Sequence, residues 1–136
     1  MYRDILLNEA EKMARVLARL MGLKTEGQSI AFTQLADDTL LKEYGITMDE
    51  LINMQLNDFE TWLLNSGHSA DKLDALAQLL YLRTEPLTTS EETLLTLQKV
   101  LLIFDVLEQK HHRLSFENIS KRKYINSFIN SIDLKA

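Results

Sequence analysis

The segment Glu91–His112, which reads EETLLTLQKVLLIFDVLEQKHH, restricts the fold of this chain more than any other. Its apolar residues recur at helical spacing and cover nearly every side of the predicted helix. Such a helix is buried, because each large apolar side chain left in water forgoes roughly 1.5–3 kcal/mol. Charge interrupts the run too soon for a membrane span. Other helices must therefore surround it. Its apolar residues are Leu94, Leu95, Leu97, Val100, Leu101, Leu102, Ile103, Phe104, Val106 and Leu107.

The rest of the chain also predicts helices, joined by short connections. Only four glycines and one proline occur, which favours helices over turn-rich β structure. We expect one all-α domain over residues 1–136, with six or seven helices in antiparallel hairpins. They form either a bundle or a short stack around the helix at 91–112. The other long helices are predicted at Tyr2–Lys24, Gln28–Tyr44, Ala70–Thr84 and Phe116–Ile132, and Gly22 and Gly27 bracket the first turn.

Helix-capping patterns divide the chain at close intervals. Thr47–Glu50, Asn57–Glu60 and Thr89–Glu92 each predict a capping box, in which the first side chain and the fourth bond to each other's backbone N–H. Ser69 and Ser115 are further predicted N-caps. The predicted end signals are Gly45, Gly67 and Pro86.

The composition excludes several classes of protein. The chain has no cysteine, which excludes disulfides, zinc–thiolate sites and thiol catalysis and favours a reducing compartment. The net charge of −5 opposes binding of nucleic acid by the whole surface. The N-terminal residues lack the pattern of a signal peptide, because acidic residues enter early. We therefore expect a cytoplasmic protein that is not bound to a membrane.

No catalytic, cofactor or metal motif is found in the sequence. His111 and His112 are adjacent, so they diverge by about 100° on a helix and do not bind one metal together. Asp105 lies between two apolar residues of the central helix and needs a cation or hydrogen-bond donor. An ion pair to a neighbouring helix is the favoured interpretation, and a functional acid or base is the alternative. We predict no enzyme activity, cofactor or metal.

Charge is distributed unevenly along the chain. Residues 1–67 carry six basic and eleven acidic residues, whereas residues 68–136 carry nine of each. A basic cluster near the C-terminus could bind phosphate groups. The favoured interpretation is a solvated surface that pairs with the acidic half, so binding of nucleic acid is not favoured. The cluster consists of Lys110, Arg113, Lys121, Arg122 and Lys123.

The first helix carries two adjacent apolar stripes. Leu6, Met13 and Leu20 form one, and Leu7, Ala14 and Met21 form the other. One stripe can face the core while the other meets a second copy of the chain, and a two-fold dimer is the commonest result of such a surplus. We therefore predict a homodimer through the first or the central helix, with Leu7, Ala14 and Met21 as an interaction surface.

Two segments resemble small uncharacterised bacterial proteins built from tetratricopeptide-like helical hairpins. They are RVLARLMGLKTEGQ, at residues 15–28, and LLIFDVLEQKHHRLSFENISK, at residues 101–121. The resemblance implies stacked helical hairpins and no particular activity. The chain departs from the repeat at Phe32, where a small residue is expected five positions after the turn glycine. No functional residue is transferred on this basis.

Three functions fit the sequence. The first is a non-enzymatic protein–protein interaction or scaffold protein that binds a protein or peptide on a helical face. The second is a small-molecule-binding or enzymatic bundle with a pocket near Asp105 and Tyr81. The third is weak association with nucleic acid through the basic cluster. An exposed apolar groove favours the first, and a pocket of converging polar side chains favours the second.

The lack of converging metal ligands leads to a first prediction. Zinc, calcium and magnesium should leave the melting temperature unchanged, because only a metal that binds the native state stabilises it by mass action. Differential scanning fluorimetry with each ion, repeated with a chelator, measures this. A stoichiometric calorimetric titration with any of the three would contradict it.

Overall fold

The computed structural model describes the backbone of residues 2–135 and the side chains of residues 8–132. Over the described backbone the chain forms seven α-helices, one π-helical segment and no strand, which confirms the all-α fold. None of the helices in this part is long and apolar enough to cross a membrane. The elements are α1 (Tyr2–Thr25), α2 (Ser29–Thr39), the π-helical segment (Leu40–Tyr44), α3 (Met48–Asn53), α4 (Leu56–Asn65), α5 (Ala70–Thr84), α6 (Glu91–His111) and α7 (Phe116–Lys135).

The helix α6 lies at the centre of the molecule. It contacts α3, α4, α5 and α7, and its most extensive contact is with α5. Leu97, Val100 and Ile103 are fully buried and span about 120° of the helix circumference. Leu101 and Leu102 are only half-buried, so the apolar surface of α6 is covered on most sides but not on all. The predicted buried central helix is thus present.

Ion pairs between helix ends show how the hairpins run. Asp71, at the start of α5, lies 2.6 Å from Arg113, just beyond the end of α6, so these two helices are antiparallel. Lys12 of α1 lies 2.6 Å from Glu43 of the π-helical segment that continues α2. Three pairs of consecutive helices pack against each other, namely α1 with α2, α5 with α6 and α6 with α7, whereas α3 and α4 pack on α6.

The helix ends confirm several of the predicted caps. Thr47 and Glu50 form the predicted capping box, with each side chain bonded to the backbone N–H of the other at 3.1 Å. Ser69 accepts a hydrogen bond from the backbone N–H of Lys72 at 3.2 Å, as an N-cap does. Gly45 has a φ of 68°, which fits its predicted place after the end of a helix.

Three predicted boundaries differ from the structure. Gly22 lies inside α1, and the turn is made by Gly27, whose φ is 73°. The prediction of a cap at Asn57 was wrong, because α4 already begins at Leu56 after Gln55, which gives no side-chain cap. The N-cap of α6 is Ser90 rather than Thr89, since its hydroxyl accepts from the N–H of Thr93.

The burial pattern of α6 leads to a second prediction. Ile103→Ala should lower the free energy of unfolding by about 2–5 kcal/mol, because it opens a cavity in a region with no access to solvent. Leu101→Ala, on the half-buried side of the same helix, is the matched control and should cost clearly less. Urea unfolding followed by circular dichroism measures both. Equal losses would show that α6 is not more deeply buried on one side.

Candidate functional site: an apolar groove and a polar cavity

An open apolar groove lies between α1 and the helix formed by α2 and the π-helical segment. Its volume is about 520 Å³. Val16 of α1 and Leu35 of α2 are half-buried in its walls, and Leu41 stands at its edge with 58% of its surface exposed. Exposed apolar surface in a concave position is typical of a site for another protein.

Charged side chains of both signs surround this groove. Lys12, Lys42, Asp38 and Glu43 line it. Glu43 lies 2.6 Å from Lys12 and 3.8 Å from Lys72, and the hydrogen bond from Lys12 is the main reason that its pKa is lowered. Glu43 is therefore a carboxylate held in ion pairs with two lysines. Asp38 and Lys42 are exposed.

The predicted interaction surface on α1 lies on another side of the same helix. Ala14 is exposed and Met21 is 55% exposed, whereas Leu7 lies outside the described side chains. Met13 and Leu20, from the other predicted stripe, are buried in the core. Five residues separate Met21 from Val16 of the groove, which places the two about 140° apart around the helix.

A polar cavity lies where four helix ends converge. It has a volume of about 450 Å³ and is lined by the ends of α1 and α5 and by the beginnings of α2 and α6. Phe32, Met48 and Pro86 provide the apolar part of its wall. Six residues that carry a hydroxyl group also line the cavity, namely Ser29, Thr33, Thr84, Ser90, Thr93 and Thr96.

Two cations line the polar cavity. The amine of Lys24 donates a hydrogen bond to the carbonyl of Leu82 and lies 4.9 Å from the centre of the Phe32 ring. Burial lowers the pKa of Lys24, and the nearby carboxylate of Glu85 only partly opposes this effect. Arg83 forms an ion pair with Asp37 at 2.9 Å. Both cations are thus held by the fold with some of their donors still free.

Most side chains of the predicted basic cluster form ion pairs or hydrogen bonds within the chain. Lys110 donates to the carbonyl of Leu64, and Arg113 pairs with Asp71. Lys121 lies 2.9 Å from Glu117. Arg122 binds both Asp105, at 3.1 Å, and Glu108, at 2.9 Å, and thereby joins α7 to α6. Lys123 is exposed. The cluster is brought together only in part. The predicted pairing with the acidic residues 1–67 is wrong for its ion pairs, because their acidic partners all lie in residues 68–136.

Asp105 forms the ion pair that the sequence analysis favoured. It is exposed on α6 and bonded to Arg122, so it is not enclosed by apolar groups. The space beside it, lined by Glu108 and Arg122, has a volume of about 10 Å³, which is too small for a ligand. Tyr81 lines a separate open depression together with Tyr124. The structure therefore does not bring Asp105 and Tyr81 into one pocket.

The histidines occupy different environments. His68 lies edge-on to the rings of Tyr44 and Trp62, and burial, followed by the charge of Lys72, lowers its pKa. Burial also lowers the pKa of His111, with Lys110 contributing. His112 has a φ of 52° and ends α6 in the left-handed position usually taken by glycine. No group of three or more metal-binding side chains is found among the described residues.

Lys99 is a buried charged residue that the sequence analysis missed. Only 1% of its surface is exposed, and its amine donates to the carbonyl of Ile52 at 3.3 Å, near the end of α3. Burial lowers the pKa of this amine. The helical spacing indicates the burial of Lys99. On the helical wheel Lys99 lies between Ile103 and Val106, and both of these residues are buried.

Lys99 leads to a third prediction, on stability against pH. In the unfolded chain this amine has its ordinary pKa near 10.5, whereas burial in the folded chain lowers the pKa. Below pH 10.5 the unfolded chain therefore binds the proton more readily, and this group destabilises the fold. Lys99→Met should therefore raise the free energy of unfolding at neutral pH by about 1–3 kcal/mol. The advantage should shrink as the pH rises toward 10.5. Urea unfolding at several pH values measures it.

Lys110→Met is the matched control for this substitution. Lys110 also donates to a backbone carbonyl from α6, at 3.0 Å, but it is exposed. Its removal should change stability little, because the side chain is exposed. A Lys99→Met variant less stable than the wild type at neutral pH would show that the bond to Ile52 outweighs the cost of burial.

Comparison with known proteins gives no relative: no family model, curated protein or solved structure matches the chain.

Proposed function

We propose that this is a non-enzymatic protein-interaction protein that acts through the apolar groove between α1 and α2. The observation that carries the proposal is the concave surface formed by Val16, Leu35 and Leu41, which is apolar, open and bordered by charge. A groove between two helices suits an amphipathic helix or a similar helical surface.

We propose a second copy of this chain as the occupant of the groove. Charge complementarity supports it, since the exposed Lys42 and Asp38 lie at the same groove. A two-fold axis makes contacts reciprocal, so when Lys42 of one copy faces Asp38 of the second, Asp38 of the first also faces Lys42 of the second. Such rim charges aid orientation more than affinity. The dimer then uses the first helix rather than the central helix, most of whose surface is covered within one chain.

Other parts of the interpretation stay predictions. Leu7, Ala14 and Met21 stay an alternative dimer surface, since Ala14 and Met21 are exposed. A tetratricopeptide-like stack, a cytoplasmic location and a protein or peptide partner other than a second copy are likewise proposals. Association with nucleic acid is less favoured, because most of the basic cluster is occupied by ion pairs and hydrogen bonds within the chain.

A fourth prediction tests the groove by oligomeric state. The wild type should be a dimer at high micromolar concentration, measured by size-exclusion chromatography with light scattering. Leu41→Glu should be a monomer, because it places a desolvated charge in the apolar groove. Leu41 is 58% exposed, so the substitution leaves the core intact.

Met21→Glu is the matched control on the other side of α1, since Met21 is exposed to nearly the same extent, 55%. It should remain a dimer. Monomeric Met21→Glu together with dimeric Leu41→Glu would place the interface on the stripe of Ala14 and Met21 instead. A wild type that stays monomeric at every concentration would overturn the second copy as the occupant.

A further inference from the structure

The polar cavity is a second feature of the molecule, separate from the groove. It is bounded by residues far apart in sequence, including Lys24, Arg83 and Thr93. A volume of about 450 Å³ lies within the range of roughly 300–1,000 Å³ found for small-molecule sites. Such a space far exceeds what one water molecule needs. The cavity is large enough for a small metabolite.

The positive groups at the cavity point to a negatively charged ligand. Lys24 has three N–H donors and Arg83 has five. Lys24 donates to the carbonyl of Leu82, and one terminal nitrogen of Arg83 pairs with Asp37. Ser29 is the first residue of α2, and Ser90 caps α6, so two helix N-termini with their positive dipole ends meet at the same cavity. Cations from side chains and helix dipoles thus act on one space.

Two carboxylates restrict the type of anion. Glu85 and Glu92 also line the cavity and are exposed at its rim. They repel a ligand of high negative charge and can accept hydrogen bonds from its hydroxyl or amino groups. Phe32 and Pro86 offer an apolar face to its carbon skeleton.

We propose that the polar cavity binds a small organic anion, with one carboxylate or phosphate group held by Lys24 and Arg83 and with hydroxyl or amino groups facing Glu85 and Glu92. The lowered pKa of Lys24 agrees with this, because a bound anion restores the interactions that burial takes from the charged amine. The hydroxyl of Thr33 supplies a neutral hydrogen bond to the same group.

Nuclear magnetic resonance titration of the full chain tests the proposal, with inorganic phosphate and acetate as separate probes. The backbone amides around Lys24, Arg83 and Thr93 should shift in a saturable manner at millimolar concentrations of at least one probe. A response to phosphate alone assigns a phosphate ester, and a response to acetate alone assigns a carboxylate. No saturable shift with either, or shifts confined to other parts of the chain, would overturn the proposal.

Two variants of α2 provide a matched pair. Thr33 and Gln34 are adjacent and exposed, but only Thr33 lines the polar cavity. Thr33→Asp should weaken binding of the probe by about tenfold or more, because it sets a negative charge against the anion. Gln34→Asp changes the net charge equally and should leave binding within about twofold. Equal weakening in both variants would show that the probe responds to net charge and not to this cavity.

Discussion

The exclusion of water from α6 is the constraint on which the rest of this structure depends. Its buried residues span about half of the helix circumference, so no single neighbour can cover them. α5 covers one side as the other arm of a hairpin, and α3, α4 and α7 cover others. Short connections allow these four helices to pack on α6 although they are separate in sequence. α1 and α2 are held more remotely, through α5.

Charged residues define how these helices are aligned. Arg122 binds Asp105 and Glu108 and so fixes α7 along α6. Glu43 forms ion pairs with Lys12 of α1 and Lys72 of α5, and these pairs connect the π-helical segment to two helices. An exposed pair such as Arg122 with Asp105 contributes little free energy, about 0–1 kcal/mol. The effect of such pairs here is to specify register, while apolar burial provides stability.

The helices could be predicted because their signals are local. Hydrophobic spacing and caps such as Thr47 and Ser69 depend on neighbours within one turn, and the structure confirms them. The errors at Asn57 and Gly22 have the same origin, because a capping residue or a glycine is only a preference that packing can override. A local signal predicts the presence of a helix more reliably than the residue at which the helix ends.

The polar cavity and the groove could not be predicted in this way. Lys24 and Arg83 are far apart in sequence and are brought to one space only by the packing of α1 on α5. The groove likewise depends on the distance between α1 and α2, which no residue pattern reports. The sequence predicts that Asp105 forms an ion pair, since a carboxylate on a packed helix needs a cation. It does not identify Arg122 as the partner, because Arg122 lies on another helix.

The burial of Lys99 gives the protein an internal reporter of its own opening. A reagent that modifies amines reaches this side chain only when α6 separates from the ends of α3 and α4. Lys123 is exposed and reacts in the native state. The extent of modification at Lys99 relative to Lys123, read by mass spectrometry, therefore counts the openings of the protein's centre under conditions where the chain stays folded.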